Sequence, residues 1–261
     1  MKKILLSALI VTACSSAGYT EAEQSEFNAK QTQEIEAITH KYLLDHPEIL
    51  IAMSQKIQAQ QAASQQDQMS TSAFKLNKQL MQVQGVPFVG PSNAKVTVTE
   101  FFDYQCMFCS KVSPIVEQLV KDNPDVKFIF RDWPIFASRW PESNTAAQTG
   151  LAIFKEAGQK AYLKYHNGIY QTGHDEGKLT PDDISKVAGQ ALQKPIKLDD
   201  VKAYTATIEK NSMLAQAVGA GGTPLFIITP QKPADKSTVT VIPGAASLDQ
   251  LQDAVNLAKS K

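Results

Sequence analysis

The stretch Val-Thr-Val-Thr-Glu-Phe-Phe-Asp-Tyr-Gln-Cys-Met-Phe-Cys, residues 96–109, decides the fold of this chain. Its first half alternates as a buried strand does, and it ends at Phe102 shortly before the cysteine pair Cys106 and Cys109. Two cysteines at this spacing can close a small disulfide ring at the start of a helix. The backbone N–H groups and the positive end of such a helix stabilise a thiolate at Cys106. The pattern therefore predicts thiol–disulfide chemistry at a strand-to-helix junction.

A zinc half-site is the alternative interpretation of the cysteine pair. A structural zinc site needs two further Cys or His ligands at suitable spacing. The only other cysteine is Cys14, and the four histidines are scattered along the chain at His40, His46, His166 and His174. This ligand count favours redox use. The sequence predicts no metal site and no cofactor apart from a redox-active Cys106–Cys109 disulfide.

The first residues predict export. Lys2 and Lys3 precede an apolar run over residues 4–13, which is too short to span a bilayer, so residues 1–13 are interpreted as a lipoprotein-type signal peptide. The run ends in Val-Thr-Ala-Cys at Cys14, which is similar to the bacterial lipobox, where cleavage leaves a cysteine that carries lipid. Ordinary cleavage near Ala17 is the alternative. We expect a periplasmic protein anchored by lipid to the outer membrane, in a compartment that permits disulfides.

Composition excludes some classes of function and indicates more than one module. Lys and Arg number 26 and Asp and Glu number 26, so the formal net charge is zero and electrostatic binding of nucleic acid is not expected. After the signal, no apolar run is long enough to cross a membrane. The 261 residues exceed what a single small domain usually needs.

A helical region is predicted before the strand. After a linker over residues 14–24, residues 25–85 are interpreted as a helical oligomerisation region. Its apolar residues at helical spacing are Ile35, Ile38, Tyr42, Leu43, Ile49, Leu50, Met53 and Ile57. The Gln/Ser/Ala-rich tract over residues 58–72 fits an exposed helix or a flexible linker. Because the region has too little apolar surface for a core of its own, we expect its stripe to pack on a second copy, with a homodimer as the expected form. Packing on its own catalytic domain is the alternative.

From residue 86 onward, the elements follow the order βαβ, helical insert, ββα. Strands are predicted over residues 96–102, 127–131, 225–229 and 238–242, and a long helical stretch over residues 144–218. This order predicts a central mixed sheet with helices on its faces, formed by residues 86–261.

Together with Glu100 six residues before Cys106, and Gly222-Thr223-Pro224 before the third strand, this order resembles the DsbA-like branch of the thioredoxin fold. The leading helices, with Tyr-Leu-Leu-Asp-His-Pro-Glu over residues 42–48, resemble the N-terminal module of oligomeric exported relatives such as the Com1-type lipoproteins. The resemblance implies an enzyme that forms or isomerises disulfides in exported proteins. Its partners would be cysteine-containing clients and an unidentified membrane redox partner.

The resemblance also assigns roles to residues. Cys106 is similar to the exposed attacking thiol, and Cys109 to the buried resolving thiol. Pro224 matches a cis-proline whose loop presents the backbone of Thr223 to an extended substrate. A plain trans proline is the alternative. With the dipeptide Met107-Phe108 between the cysteines, Thr223 and Pro224 form the predicted substrate-binding residues.

Glu100 is the third predicted catalytic residue. On an apolar strand its carboxyl group is expected to be buried, with a raised pKa, and to exchange protons with Cys109 through water. A carboxylate that faces solvent at a strand edge is the alternative. Met107 and Phe108 lack the histidine of the familiar oxidase, so we expect the pKa of Cys106 to lie between about 7, as in thioredoxin, and about 3.5, as in DsbA.

A second class of function stays open at this point. The protein would then be a lipid-anchored surface or structural protein whose thioredoxin domain serves only as a scaffold, since a fold does not fix a function. The cysteine pair, Glu100 and the Thr223-Pro224 loop together favour the enzyme, because a scaffold has little need of all three.

Overall fold

The computed structural model describes residues 27–195 and 203–260. The predicted signal peptide, the linker over residues 14–24 and the predicted lipidation site Cys14 lie outside the described residues. The chain divides into two compact units, one that ends at Gln58 and one that begins at Ala59. Of the helices described, none is long and apolar enough to cross a membrane.

The first unit consists of helix α1 (Ala29–Asp45) and the first part of helix α2 (Glu48–Lys75). Asn28 caps α1, because its side chain accepts a hydrogen bond from the Gln31 N–H and its own N–H donates to the Gln31 side chain, both at 3.0 Å. Within α1, which is described in full, no residue is buried. The large apolar side chains that are exposed in this unit are Phe27, Ile35, Ile38, Tyr42, Leu44, Leu50, Ile51, Met53 and Ile57.

The second unit is built on a five-stranded mixed sheet. Its strands are β1 (Phe88–Val89), β2 (Val96–Phe102), β3 (Lys127–Asp132), β4 (Leu225–Pro230) and β5 (Thr240–Pro243). They lie in the order β1-β3-β2-β4-β5, with β2 and β3 parallel and the other neighbours antiparallel. Helix α4 (Met107–Asp122) makes the crossover between β2 and β3, as a parallel pair requires.

The other helices follow the order that the sequence predicts. They are α3 (Asn77–Leu80), α5 (Glu142–Gln171), α6 (Pro181–Leu192), α7 (Thr205–Val218) and α8 (Leu248–Lys259), with a 3-10 turn at Lys236–Thr238. Helices α5 to α7 form the insert between β3 and β4. The long helix α5 is interrupted at Gly158, where φ is 74°, a value that glycine adopts without steric cost.

Both faces of the sheet are covered, which explains why all seven residues of β2 are buried. On one face Phe102, Phe130 and Phe226 belong to a core cluster with residues of α4, α5, α6 and α8. On the other face Phe101 and Leu225 belong to a second cluster with residues of α7 and the end of α2. The cysteine pair lies on the first of these two faces.

The packing of α2 differs from the predicted division at residue 85. Met69 and Ala73, one helical turn apart near the end of α2, are buried in the same cluster as Phe101, and so is Leu80. The chain from Ala59 onward therefore belongs to the unit that contains the sheet. The tract over residues 58–72 is helical, and Met69 near its end is buried in the core. The composition of the tract did not predict this burial.

Arg131 anchors the segment that follows α2. Its Nη2 donates to the main-chain oxygens of Gln79, Leu80 and Gln82 at 2.8, 2.9 and 2.9 Å, and its Nη1 donates to Asn211 Oδ1 at 3.0 Å. Burial lowers the pKa of Arg131 to about 10. A guanidinium buried to this degree depends on these acceptors, so residues 79–82 are structurally part of the sheet-containing unit.

Candidate active site

Cys106 and Cys109 lie where the sequence predicts, at the start of α4. Cys106 is the N-cap residue, and α4 begins at Met107, so Cys109 is in the first turn. Both are free thiols, and 3% of Cys106 and 0% of Cys109 are exposed. The prediction of an exposed Cys106 is therefore wrong for the reduced protein. Its Sγ lies against the loop before β4 and, in the thiol form, donates a hydrogen bond to the main-chain oxygen of Thr223 at 3.3 Å, a bond that is lost when Cys106 ionises.

The pKa values of the two thiols move in opposite directions. The pKa of Cys106 falls from 9.0 to about 6. A hydrogen bond from the Cys109 thiol is the largest cause, the N–H groups of Cys109 and Phe108 add to it, and burial opposes the fall. The pKa of Cys109 is raised well above its usual value, first by burial, then by its hydrogen bond to Cys106 and by the nearby charges of Cys106 and Glu100. At neutral pH Cys106 is thus a thiolate and Cys109 a thiol.

The loop before β4 faces the cysteine pair. The Thr223–Pro224 peptide bond is cis, as predicted. Besides the contact of Thr223 with Cys106, the main-chain oxygen of Pro224 accepts a hydrogen bond from the Gly244 N–H at 2.8 Å, which ties the loop to the end of β5. The hydroxyl oxygen of Thr223 is buried and has no partner among the described residues. The loop therefore places a main-chain acceptor and an unpartnered hydroxyl group beside the reactive sulfur.

The dipeptide between the cysteines lies at the protein surface. Met107 is half-buried, whereas 51% of Phe108 is exposed. The Lys111 Nζ lies 5.6 Å from the centre of the Phe108 ring, within the range of a cation–π contact. Of the four predicted substrate-binding residues, Phe108 is the one most available to another molecule.

Glu100 is buried, with 3% of the residue exposed, so the alternative of a solvent-facing carboxylate is excluded. Burial raises its pKa from 4.5 to about 8, and its Oε2 has no hydrogen-bond partner within the described part of the chain. Its charge is among those that raise the pKa of Cys109. The structure thus confirms the predicted burial and raised pKa of Glu100, and places its charge where it acts on Cys109.

Asp103 is a residue that the sequence interpretation missed. Its carboxylate accepts hydrogen bonds from the Gln105 N–H at 2.8 Å, the Ser143 hydroxyl at 2.6 Å and the Phe136 N–H at 2.9 Å. Burial raises its pKa, and these three donors oppose the rise. Asp103 fixes the turn that leads into Cys106 to the start of α5. Its place three residues before Cys106 was the only signal in the sequence.

Asp132 is a second buried acid that was missed. In the sheet register Asp132 pairs with Phe102 and Glu100 with Phe130, so both acids project from the same face of neighbouring parallel strands. Both carboxyl oxygens of Asp132 are buried without a partner among the described residues. Burial raises its pKa well above the usual value, and the charges of Asp103 and Glu100 raise it further. The site therefore holds two neighbouring carboxyl groups that favour the protonated form.

His166 of α5 completes the buried polar cluster. Its Nδ1 lies 3.2 Å from the Tyr104 hydroxyl oxygen, and its ring contacts the rings of Phe102, Phe130 and Tyr170. Burial lowers its pKa to about 3, so the ring is neutral at physiological pH. Over the described ranges, no group of three or more His, Cys, Asp or Glu side chains is arranged to hold a metal ion.

Two family models match the chain. A model described as thioredoxin matches residues 82–242, and one described as the copper resistance protein ScsC N-terminal domain matches residues 31–64. The first model spans the sheet, the cysteine pair and the insert. The second lies within α1 and α2, the predicted oligomerisation region.

Individual relatives agree with these matches. The solved structure of BcfH from Salmonella enterica Typhimurium has 39% sequence identity and a TM-score of 0.76, and the match covers 88% of this chain and 96% of that one. Disulfide bond formation protein D of Bacillus subtilis is 26% identical over 183 residues, which are 66% of this chain and 77% of the relative.

Two Na⁺/H⁺ antiporters, NhaA 3 of Salinispora tropica and NhaA 1 of Salinispora arenicola, match over 145 residues at 29% and 26% identity. These matches cover 53% of this chain, which spans only 21% of each antiporter. The predicted fold class, a DsbA-like thioredoxin fold with a helical insert and a helical N-terminal region, is confirmed by the fold and by these matches together. The chain belongs to the thioredoxin family, in its DsbA-like branch.

Proposed function

We propose that the protein is a thiol-disulfide oxidoreductase that forms or isomerises disulfides in exported proteins. The observation that carries the proposal is the pair of opposed pKa shifts, with Cys106 lowered to about 6 and Cys109 raised, beside the main-chain oxygen of Thr223. A thiolate at neutral pH next to a protonated partner is the arrangement that thiol–disulfide exchange requires.

In the oxidase direction a client thiolate attacks Cys106 Sγ of the disulfide. The S–S bond breaks, a mixed disulfide forms, and Cys109 leaves and takes up a proton. A second client thiolate then attacks the client sulfur of the mixed disulfide and releases Cys106 as a thiolate. The client dithiol is oxidised to a disulfide, and the Cys106–Cys109 disulfide is reduced to a dithiol.

In the isomerase direction reduced Cys106 attacks a wrong client disulfide and releases a client thiolate. That thiolate attacks a second client disulfide, and the thiolate released there attacks the client sulfur joined to Cys106, which forms the new client disulfide and frees Cys106 as a thiolate. If Cys109 attacks Cys106 Sγ instead, the client leaves as a thiol and the Cys106–Cys109 disulfide forms. The lowered pKa of Cys106 serves both directions, since it makes this sulfur the nucleophile in one and the better leaving group in the other.

Glu100 is assigned the handling of the proton at Cys109. With a pKa of about 8, its carboxyl group is protonated at neutral pH and can give a proton, through water, to Cys109 as that sulfur leaves. In the reverse step its carboxylate receives the proton of the attacking Cys109 thiol. A group with a pKa near the working pH suits both steps.

Met107, Phe108, Thr223 and Pro224 are assigned to client binding, with an extended client segment along the backbone of Thr223. Neither Met107 nor Phe108 supplies a cation to the thiolate. The pKa of Cys106, about 6, lies between the values of about 7 in thioredoxin and about 3.5 in DsbA, which supports an intermediate oxidising power.

Partners and location follow the sequence interpretation. In this proposal the protein acts in the periplasm and is held at the outer membrane by lipid on Cys14, as the resemblance to the Com1-type subgroup implies. Its clients are cysteine-containing exported proteins, an unidentified membrane partner resets its redox state, and it uses neither a metal nor a separate cofactor. A homo-oligomer, with a dimer as the expected form, is supported by the exposed apolar surface of the first unit, where Ile38 and Leu44 are each 68% exposed.

Two activity assays test the proposal. The oxidised protein is mixed with reduced, unfolded ribonuclease A, and the reduced protein with ribonuclease A whose disulfides are scrambled. Recovery of ribonuclease activity in either assay, abolished by Cys106→Ser, is the expected result. If recovery is equal for the wild type and for Cys106→Ser, or absent in both assays, the enzyme hypothesis is wrong. The alternative, a structural protein that uses the thioredoxin domain as a scaffold, is then favoured.

A further inference from the structure

A groove runs from the cis-proline loop along the second half of α2. It has a volume of about 660 Å³ and lies wholly within the unit that begins at Ala59. Gln65, Gln66 and Gln68 of α2 stand on one side, and Gly221, Thr223 and Pro224 on the other. We propose that this groove binds an extended, uncharged segment of the client, next to the client cysteine that reacts with Cys106. The inference rests on the proposed oxidoreductase function and names the part of the client that the site selects.

The first argument is continuity with the reactive sulfur. Thr223 lines the groove, and its main-chain oxygen lies 3.3 Å from Cys106 Sγ. A client chain whose cysteine is joined to Cys106 must therefore pass Thr223 on at least one side of that cysteine. From Thr223 the groove offers it a path along α2.

The second argument is the chemistry of the walls. Every described residue that lines the groove is uncharged. Primary amides such as those of Gln65 and Gln68 carry both donors and an acceptor, which match the N–H and C=O groups of an extended chain. A charged client side chain would lose water here without meeting an opposite charge, and such burial is unfavourable.

The third argument is the access to polar groups of the loop. A Cβ placed on Gly221 or Gly222 would meet no atom within 4 Å, so the loop backbone is open to a neighbouring chain. The Thr223 hydroxyl oxygen is buried and has no partner among the residues described. A client backbone that enters the groove can supply the missing partner, which removes the cost of an unpaired buried hydroxyl.

Gln65 and Gln68 allow a test that leaves the fold intact, because both are exposed on α2. The full-length oxidised protein is reacted with peptides of seven residues whose central cysteine is flanked by neutral, lysine or glutamate residues. The double variant Gln65→Lys/Gln68→Lys is compared with Gln61→Lys, a change at an exposed residue of the same helix that does not line the groove.

Relative to Gln61→Lys, the double variant should react about two- to fivefold more slowly with the lysine peptide and faster, by a similar factor, with the glutamate peptide. This factor corresponds to the interaction of one pair of exposed charges. Its rate with 2-mercaptoethanol, an uncharged thiol too small to reach α2, should not change. Peptide rates that change equally in both variants, or in neither, would overturn the inference while leaving the oxidoreductase in place. A wild-type protein that reacts with neither the peptides nor 2-mercaptoethanol removes the proposed function and, with it, this inference.

A cross-link supplies a second readout. A neutral peptide with benzophenone three positions from its cysteine is joined by a disulfide to Cys106 in the Cys109→Ala variant and then irradiated. Two such peptides are used, one with benzophenone before the cysteine and one with it after. For one of the two, we expect the cross-link to form within residues 62–72 of the protein. Labels confined to other parts of the chain for both peptides would contradict the groove assignment.

Discussion

The hydrogen bond between the Cys109 thiol and Cys106 Sγ is the largest contribution to the lowered pKa of Cys106, and it raises the pKa of Cys109 in turn. The donor stabilises the thiolate of its neighbour and becomes harder to ionise itself. One contact therefore separates the two thiols into a nucleophile and a proton-bearing partner. The difference in pKa between Cys106 and Cys109 can be measured directly.

Alkylation of the reduced protein should be fast at Cys106 and slow at Cys109. The rate at Cys106 should rise between pH 5 and pH 7 with a midpoint near 6, because only the thiolate reacts. Cys109 should label slowly over the same range, because its raised pKa keeps it in the thiol form. Mass spectrometry after short pulses of iodoacetamide checks both. Faster labelling of Cys109 would reverse the assigned roles.

Cys109→Ala should trap client proteins. Without the resolving thiol, mixed disulfides at Cys106 persist, and non-reducing gels of cells that export the variant should show high-mass adducts that reductant removes. Cys106→Ala is the control and should show none. The same Cys109→Ala change should raise the pKa of Cys106, since the sulfur loses its principal donor. Equal adducts from both variants would point to the scaffold.

Local sequence determined the parts of the site that were predicted correctly. The strand, the cysteine pair and the buried Glu100 occupy 14 consecutive residues, 96–109. Their spacing along the chain is therefore enough to predict that they lie close together in the fold. The exposure of Cys106 was predicted wrongly because it depends on Thr223, more than a hundred residues further along the chain. That contact forms only when β4 pairs with β2.

The missed residues share this dependence on distant packing. Asp132 approaches Glu100 through the register of β2 and β3, and His166 reaches Tyr104 because α5 packs on that face of the sheet. The burial of Met69 and Ala73 was hidden for another reason. One apolar residue within a tract of Gln, Ser and Ala and one just after it give a weak periodic signal, although both are buried in the core where the end of α2 packs.

Glu100→Gln should stabilise the reduced protein, and more so as the pH rises. The Glu100 pKa is about 8 in the folded protein against 4.5 ordinarily, so its contribution is fully favourable below pH 4.5 and is lost as the pH rises to 8. The loss amounts to at most roughly 5 kcal/mol, at about 1.4 kcal/mol per pH unit. Glutamine avoids it. Urea unfolding at pH 5 and pH 8 measures the difference between variant and wild type.

Glu209→Gln is the matched control for this change, since Glu209 is exposed on α7 and its substitution makes the same chemical change outside the core. Glu100→Gln should also slow the step in which Cys109 gains or loses its proton. An unchanged dependence of stability on pH in Glu100→Gln would mean that the carboxyl group is ionised in the folded protein.

Cys14→Ser should release the protein from the membrane. The prediction rests on the lipobox-like Val-Thr-Ala-Cys sequence that ends at Cys14. Metabolic labelling with a radioactive fatty acid should mark the wild type and not the variant, and fractionation should move the variant to the soluble periplasmic fraction. Membrane association that survives the substitution would place the anchor elsewhere. Cys109→Ala serves as a control for the loss of a cysteine, and it should keep the label.

Deletion of the first unit should give a monomer that keeps its oxidoreductase domain. The deletion must end at residue 58, because Met69, Ala73 and Leu80 are buried in the core. In addition, the main-chain oxygens of Gln79, Leu80 and Gln82 accept hydrogen bonds from Arg131. A deletion of residues 22–85 removes these groups and should cost about 3 kcal/mol or more, because it exposes the apolar surface that Met69, Ala73 and Leu80 cover. Thermal unfolding of the two deletions, 22–58 and 22–85, tests this boundary.

The shorter deletion then tests the role of the first unit. If its exposed residues, among them Ile38, Leu44 and Leu50, hold two copies together, sedimentation should show an oligomer for the full chain and a monomer for the deletion of residues 22–58. We expect such an oligomer to place several Cys106 sites around one client and to restrict the approach of the proposed partner that reoxidises them. The deletion should therefore lose activity on scrambled ribonuclease and keep, or gain, activity on the reduced form. A full-length monomer, or a monomeric deletion with undiminished isomerase activity, would contradict this role.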